Sequence, residues 1–201
     1  MMKRALTGLS VAIALVAAPA FAADAPPPPV TAADHVLGQS TAKVTVIEYA
    51  SLTCSHCADW HDHVLPALKA RYIDRGEVRF VYRTLPTPPV NVAQAAAGVA
   101  QCAAPGKFFA TIDAFFAAQS ALPTTGTGPY FERGVAASGR TREEISACLS
   151  APATLAALQG QIDGAVAAGV DGTPALFVNG RRVTDVSFAG LSAAIDPLLR
   201  R

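Results

Sequence analysis

Charge is scarce in this 201-residue chain: only 15% of residues are charged, and basic and acidic residues nearly balance at a formal +1. No basic stripe is available to neutralise phosphates, which excludes a nucleic-acid partner. Aromatic residues make up 7%, with a single tryptophan, Trp60. Four cysteines are too few for a disulfide-dependent scaffold, and a chain this long builds a core without one. Beyond the first two dozen residues, no apolar run approaches the roughly 20 residues that span a bilayer. There is no second Cys-x-x-Cys and no His-x-x-His, the paired clusters of a closed zinc site. Ala58 rather than histidine follows Cys57, which removes c-type haem attachment. Internal repeats are absent. The expectation is a chain with no resident metal and no cofactor.

What is present begins with a leader. Lys3 and Arg4 precede an apolar stretch over 6–18, and Ala20-Phe21-Ala22 offers a small-residue cleavage pattern. That order reads as a signal peptide over 1–22, hence export to the periplasm. No cysteine follows the apolar stretch, so no lipid anchor is expected. Loss of the leader removes two basic residues and no acid, turning the charge slightly negative. Residues 23–42 contain Pro26-Pro27-Pro28-Pro29 and read as a stiff, extended tail that buries little.

Strand and helix patterns then alternate. Val44-Thr-Val-Ile-Glu-Tyr49 is β-branched and largely apolar, as a buried strand is. Trp60, Val64, Leu65, Leu68 and Tyr72 recur at helical spacing over 57–72, with Pro66 predicting a kink. A second strand follows over 77–84. Helical patterns fill 91–103, 106–119, 129–138, 142–149 and 152–168. Asn91 is a candidate N-cap, and Thr141 with Glu144 a capping box. The stretch 123–129 reads as a plain connection. Asn179-Gly180 marks a hairpin between strands over 175–178 and 181–184. A helix over 188–200 closes the chain. The first two strands, joined by a helix, are expected to run parallel. The result is a mixed α/β sheet covered on both faces.

Chemistry concentrates at Cys54-Ser55-His56-Cys57, where a strand meets a helix, with Thr53 as a candidate N-cap. The first helical turn offers unpaired N–H groups and partial positive charge, which lowers a thiol's pKa. His56 adds to this when protonated. Cys54 reads as the exposed nucleophile and Cys57 as the resolving thiol one turn in, the pair forming an exchangeable disulfide. Glu48, on the preceding strand, is either a proton acceptor for Cys57 or an edge-exposed residue. His61 and His63 read as solvated helix surface, and Trp60 as a core aromatic.

The run Glu48 to Cys57, together with Gly172-Thr173-Pro174, resembles the DsbA-like branch of the thioredoxin superfamily over residues 43–201. The resemblance implies a thioredoxin-like mixed sheet with an inserted α-helical domain. The thioredoxin-like domain would comprise 43–90 and 150–201, the helical insertion 91–149. It makes Thr173-Pro174 a cis-proline loop facing the cysteines and binding substrate backbone. The expected substrates are unfolded or reduced exported proteins, and a DsbB-like membrane protein is the expected redox partner. One departure is Ser55 between the cysteines, where the well-known oxidases carry proline.

Cys102 and Cys148 flank small residues inside the helical block, and a structural disulfide between them is expected, in preference to two free thiols. Its loop would stabilise the fold by up to about 4 kcal/mol. The short proline-rich lead-in argues for a monomer. Introduction of disulfides into exported proteins is the expected activity. The alternatives are a reductase or isomerase, or a peptide- or metal-binding protein.

Overall fold

The structure is a computed structural model that describes residues 25–200; the leader read over 1–22 lies outside the described residues. Five strands form one sheet in the order β1-β3-β2-β4-β5: β1 His35–Leu37, β2 Val44–Ala50, β3 Val78–Thr84, β4 Ala175–Val178 and β5 Arg181–Val183. β2 and β3 run parallel with Val46 opposite Phe80, and every other pairing is antiparallel. Six of the seven residues in each of these central strands are buried, because helices cover both faces.

Strand alternation sorts the core into two layers. Val44, Val46, Phe80, Tyr82, Leu176 and Val178 face the larger cluster; Ile47, Tyr49, Val81 and Phe177 face a smaller one closed by Ala165 and Ala168. Glu48 shares parity with Val46 and therefore points into the larger layer. The hairpin carries Asn179 at φ 46° and Gly180 at φ 80°, the left-handed pair that a two-residue turn requires.

The helix expected over 57–72 is divided into α1 Ser55–His63, α2 Leu65–Leu68 and a π-helical turn Lys69–Ile73. The Pro66 ring clashes with the carbonyl a turn earlier, and Val64 takes the break. Between β3 and β4 run α3 Val90–Gln101, α4 Phe108–Gln119, α5 Leu122–Thr125, α6 Thr127–Ser138, α7 Arg142–Leu149 and α8 Pro152–Ala167; α9 Phe188–Leu199 follows β5. Pro89, not Asn91, caps α3, its carbonyl accepting from Val92 and Ala93. The Thr141–Glu144 capping box opens α7. The stretch read as a plain connection is α5 and the first turn of α6, since Pro123 fits a first helical turn. Gly134 lets α6 close onto α4, because a Cβ there would overlap the Phe115 ring. A disulfide joins Cys102, at the end of α3, to Cys148 in α7, with Cα atoms 5.9 Å apart.

The reading of 23–42 as a non-burying tail is corrected. Residues 35–37 form the edge strand β1, and Pro27 is buried. Arg83 explains why. Its guanidinium donates to Pro28 O at 2.9 Å, Pro29 O at 3.1 Å, both Asp34 carboxylate oxygens at 2.7 and 3.0 Å, and Tyr49 Oη at 3.2 Å. An extended proline run has no internal hydrogen bonds, so its carbonyls are free for such a donor.

Candidate active site

Backbone geometry sets the site at the end of β2. The turn 51–53 delivers the chain to Cys54, which is the N-cap of α1 at φ −88°, ψ 117°. Thr53, the candidate N-cap, instead donates its hydroxyl to Thr87 O at 3.0 Å, and Ser51 Oγ accepts from Thr87 N at 3.1 Å. The turn is thereby tied to the loop after β3. Cys54 O accepts from Cys57 N and Ala58 N, opening the helix.

Two residues of the helical block hold this turn from above. Gln119 Nε2 donates to Leu52 O at 2.9 Å and Cys54 O at 3.1 Å, and Tyr130 Oη donates to Leu52 O at 2.7 Å. Both are buried. Neither was singled out from the sequence. The available signal was a lone amide at the end of the apolar α4 pattern, since a buried polar group needs a partner.

Cys54 is partly exposed and Cys57 fully buried, and both are free thiols. The Cys54 thiol faces the loop before β4, where it donates to Thr173 O at 3.3 Å and where the Thr173–Pro174 bond is cis. A hydrogen bond from the Cys57 thiol holds the Cys54 pKa down at about 5, against the cost of burial. The Thr173 side chain and the backbone N–H groups of Cys57 and His56 act in the same direction. Donation to Cys54, burial and the charge on Glu48 together push Cys57 far above the ordinary thiol range. The pair is thus split into one acidic sulfur and one that keeps its proton. The His56 side chain lies exposed on the first turn of α1.

Glu48 is 0% exposed, on a strand flanked by β3 and β4, which rules out the edge-strand reading. His61 is also buried, correcting its assignment to the solvated surface. It lies one turn beyond Cys57, on the same inward face, where Nε2 meets Glu48 Oε2 at 2.9 Å and the ring packs on Phe116. His63 is exposed, its Nδ1 against Asp59 O. Trp60 is core, donating to Val186 O at 2.8 Å and stacked on Phe80. Among the described residues, no group of three or more His, Cys, Asp or Glu converges as a metal site would.

Residues 30–197 match the family model described as Thioredoxin. The chain belongs to that family. It is 35% identical over 175 residues to the Na(+)/H(+) antiporter NhaA 3 of Salinispora tropica, covering 83% of this chain and 26% of the antiporter. It is 32% identical over 168 residues to a Rickettsia bellii protein named "Putative protein-disulfide oxidoreductase", covering 81% of this chain and 63% of that one. The chain thus spans about a quarter of the antiporter's length and under two-thirds of the Rickettsia protein's. In fold it is similar to oxidised BdbD of Bacillus subtilis, with TM-score 0.76 and 19% identity, covering 89% of this chain and 98% of BdbD. It is similar again to α-DsbA1 of Wolbachia pipientis, with TM-score 0.74 and 23% identity, covering 86% and 93%. The architecture is the thioredoxin-like fold of DsbA type. Among the described residues, no helix is long and apolar enough to cross a membrane.

Proposed function

We propose that this chain is an exported, periplasmic thiol–disulfide oxidoreductase that introduces disulfides into reduced substrate proteins through Cys54 and Cys57. The observation that carries this is the split pair: an acidic Cys54 at the helix N-terminus and a proton-retaining Cys57 behind it. A stabilised Cys54 thiolate stabilises the reduced form, which makes the disulfide oxidising. The name of the Rickettsia relative and the DsbA-type fold support the same reading.

A substrate thiolate attacks Cys54 Sγ, the Cys54–Cys57 bond breaks, and Cys57 leaves and takes up a proton. A second substrate thiolate attacks the substrate sulfur of the mixed disulfide and releases Cys54 as a thiolate. Two electrons pass from substrate to protein. The cis-proline loop 172–174 presents backbone to an extended substrate, and the helical block 91–149 caps the site. A DsbB-like membrane partner reoxidises the pair, and the chain acts as a monomer without a cofactor.

Thiolate absorbance of the reduced protein tests this reading. Cys54 ionises with a midpoint of about 5. A midpoint in the usual range near pH 9 overturns the reading. Between about pH 5 and the unfolded value near 9.0 the unfolded chain binds the extra proton. The reduced form therefore gains stability relative to the disulfide form as pH rises through that window, and loses it as pH falls back through about 5.

A further inference from the structure

Behind Cys57 lies a chain of titratable groups that reaches the surface. Glu48 and His61 are both buried and paired, yet Glu48 Oε1 and His61 Nδ1 have no hydrogen-bond partner of their own, and neither does Tyr82 Oη. His61 Nδ1 faces Asp113 of α4, with Oδ1 at 3.9 Å. That is longer than a hydrogen bond, and the Asp113 side chain is 64% exposed. The other groups against His61 are Tyr82 from β3 and the rings of Trp60, Phe80 and Phe116. Asp113, with the exposed Asp62 near it, is the carboxylate that faces Nδ1 from the solvent side.

A buried ion pair adds little net stability, so stability alone is a weak reason for this arrangement. Proton movement is a stronger one. Reduction puts a proton on Cys57 and oxidation takes it off, and that side chain sits fully buried. Glu48 points into the core layer that holds Cys57, and its charge pushes that thiol's pKa up.

We propose that His61 is a positioning residue for this redox centre, passing the Cys57 proton from Glu48 to Asp113 and solvent. The Glu48–His61 pair holds one proton in either arrangement, as carboxylate and imidazolium or as acid and imidazole. When Cys57 gives its proton to Glu48 Oε1, His61 Nδ1 releases one toward Asp113, and the pair's proton count is unchanged. The Cys57 thiolate is then free to attack.

The inference rests on the oxidoreductase reading, and oxidation by glutathione disulfide tests the two separately. Cys54 thiolate attacks glutathione disulfide, forming a Cys54–glutathione bond and releasing one glutathione thiolate. Cys57, once deprotonated, attacks Cys54 Sγ and expels the second. Rapid acid quench and mass spectrometry follow the adduct's formation and decay. His61→Gln keeps a donor for Glu48 but cannot relay; Asp113→Asn alters only the exposed end. In H61Q, formation of the adduct and the Cys54 midpoint match wild type, while adduct decay slows at least about tenfold, the scale of losing a positioned base. D113N slows decay to a smaller extent. Should H61Q fail to fold, D113N decides, since its side chain lies at the surface. Adduct decay equal to wild type in the folded variants overturns the relay. A wild-type protein that forms neither adduct nor disulfide overturns the oxidoreductase reading itself.

Discussion

Replacing Cys54 with serine reduces disulfide exchange to the uncatalysed background, whereas replacing Cys57 with serine leaves a protein whose Cys54 captures disulfide-bonded proteins as mixed disulfides that it cannot resolve. An acidic Cys54 has two opposed effects on rate. At pH 7 a thiol with a pKa of about 5 is almost wholly ionised, whereas an ordinary one near 9.0 is about 1% thiolate. That is roughly a hundredfold gain in reactive form. Intrinsic nucleophilicity falls with pKa at a Brønsted slope of about 0.45, which removes roughly sixtyfold over the same interval. As a nucleophile, Cys54 is therefore little better than an ordinary thiol. Its advantage is as a leaving group, where a low pKa speeds release of the oxidised substrate. Cys57 is needed for the reverse attack that clears a stalled mixed disulfide, and its buried sulfur is inaccessible to substrate. Non-reducing electrophoresis after incubation of the reduced variants with a disulfide-bonded substrate shows adducts in C57S, where Cys54 attacks the substrate disulfide and displaces one substrate thiolate, and none in C54S. Catalysis retained by C54S contradicts this assignment.

Replacing Arg83 with leucine destabilises the protein by about 3–5 kcal/mol, the cost of stranding one partner of a buried ion pair. The Arg83 and Asp34 side chains are only 4% and 6% exposed, so the charge left behind cannot turn to water. Leucine also leaves Pro28 O and Pro29 O without a donor. Burial pushes the Asp34 carboxyl up, but Arg83 and the Thr31 N–H outweigh it and hold it below the usual carboxylate range. The pair's stabilisation is therefore present above the unfolded value of about 3.9 and is lost as pH falls below it. Urea unfolding at neutral pH measures the loss. Adding Asp34→Leu in the same chain removes the stranded charge and recovers part of the loss, the two proline carbonyls still lacking their donor. A loss under about 1 kcal/mol for R83L would mean that the proline-rich segment is not anchored as described.

These two regions show where the sequence is readable and where it is not. The Cys-x-x-Cys junction is legible because its chemistry is local: strand end, N-cap and first turn lie within a few residues. The hairpin is legible because Asn179-Gly180 names the turn it needs. His61 is not, since a histidine between Trp60 and Asp62 looks the same whether it faces water or Glu48, thirteen residues earlier. Gln119 and Tyr130 reach the Cys54 turn across more than sixty residues of chain. The proline run has no periodicity to read, and its role lies in carbonyls that meet an arginine from β3. In each case the missing information is tertiary, a polar group whose partner is set by how helices close over the sheet.

The reduction potential of the Cys54–Cys57 pair in glutathione buffers decides whether this chain donates disulfides, with Trp60, a turn from Cys57 and packed in the core, as the fluorescent reporter. An oxidising value is expected, near the −120 mV or so of a strong dithiol oxidase. A value at or below about −230 mV would show that the acidic Cys54 does not stabilise the reduced form, and would contradict the assignment of this chain as a donor of disulfides.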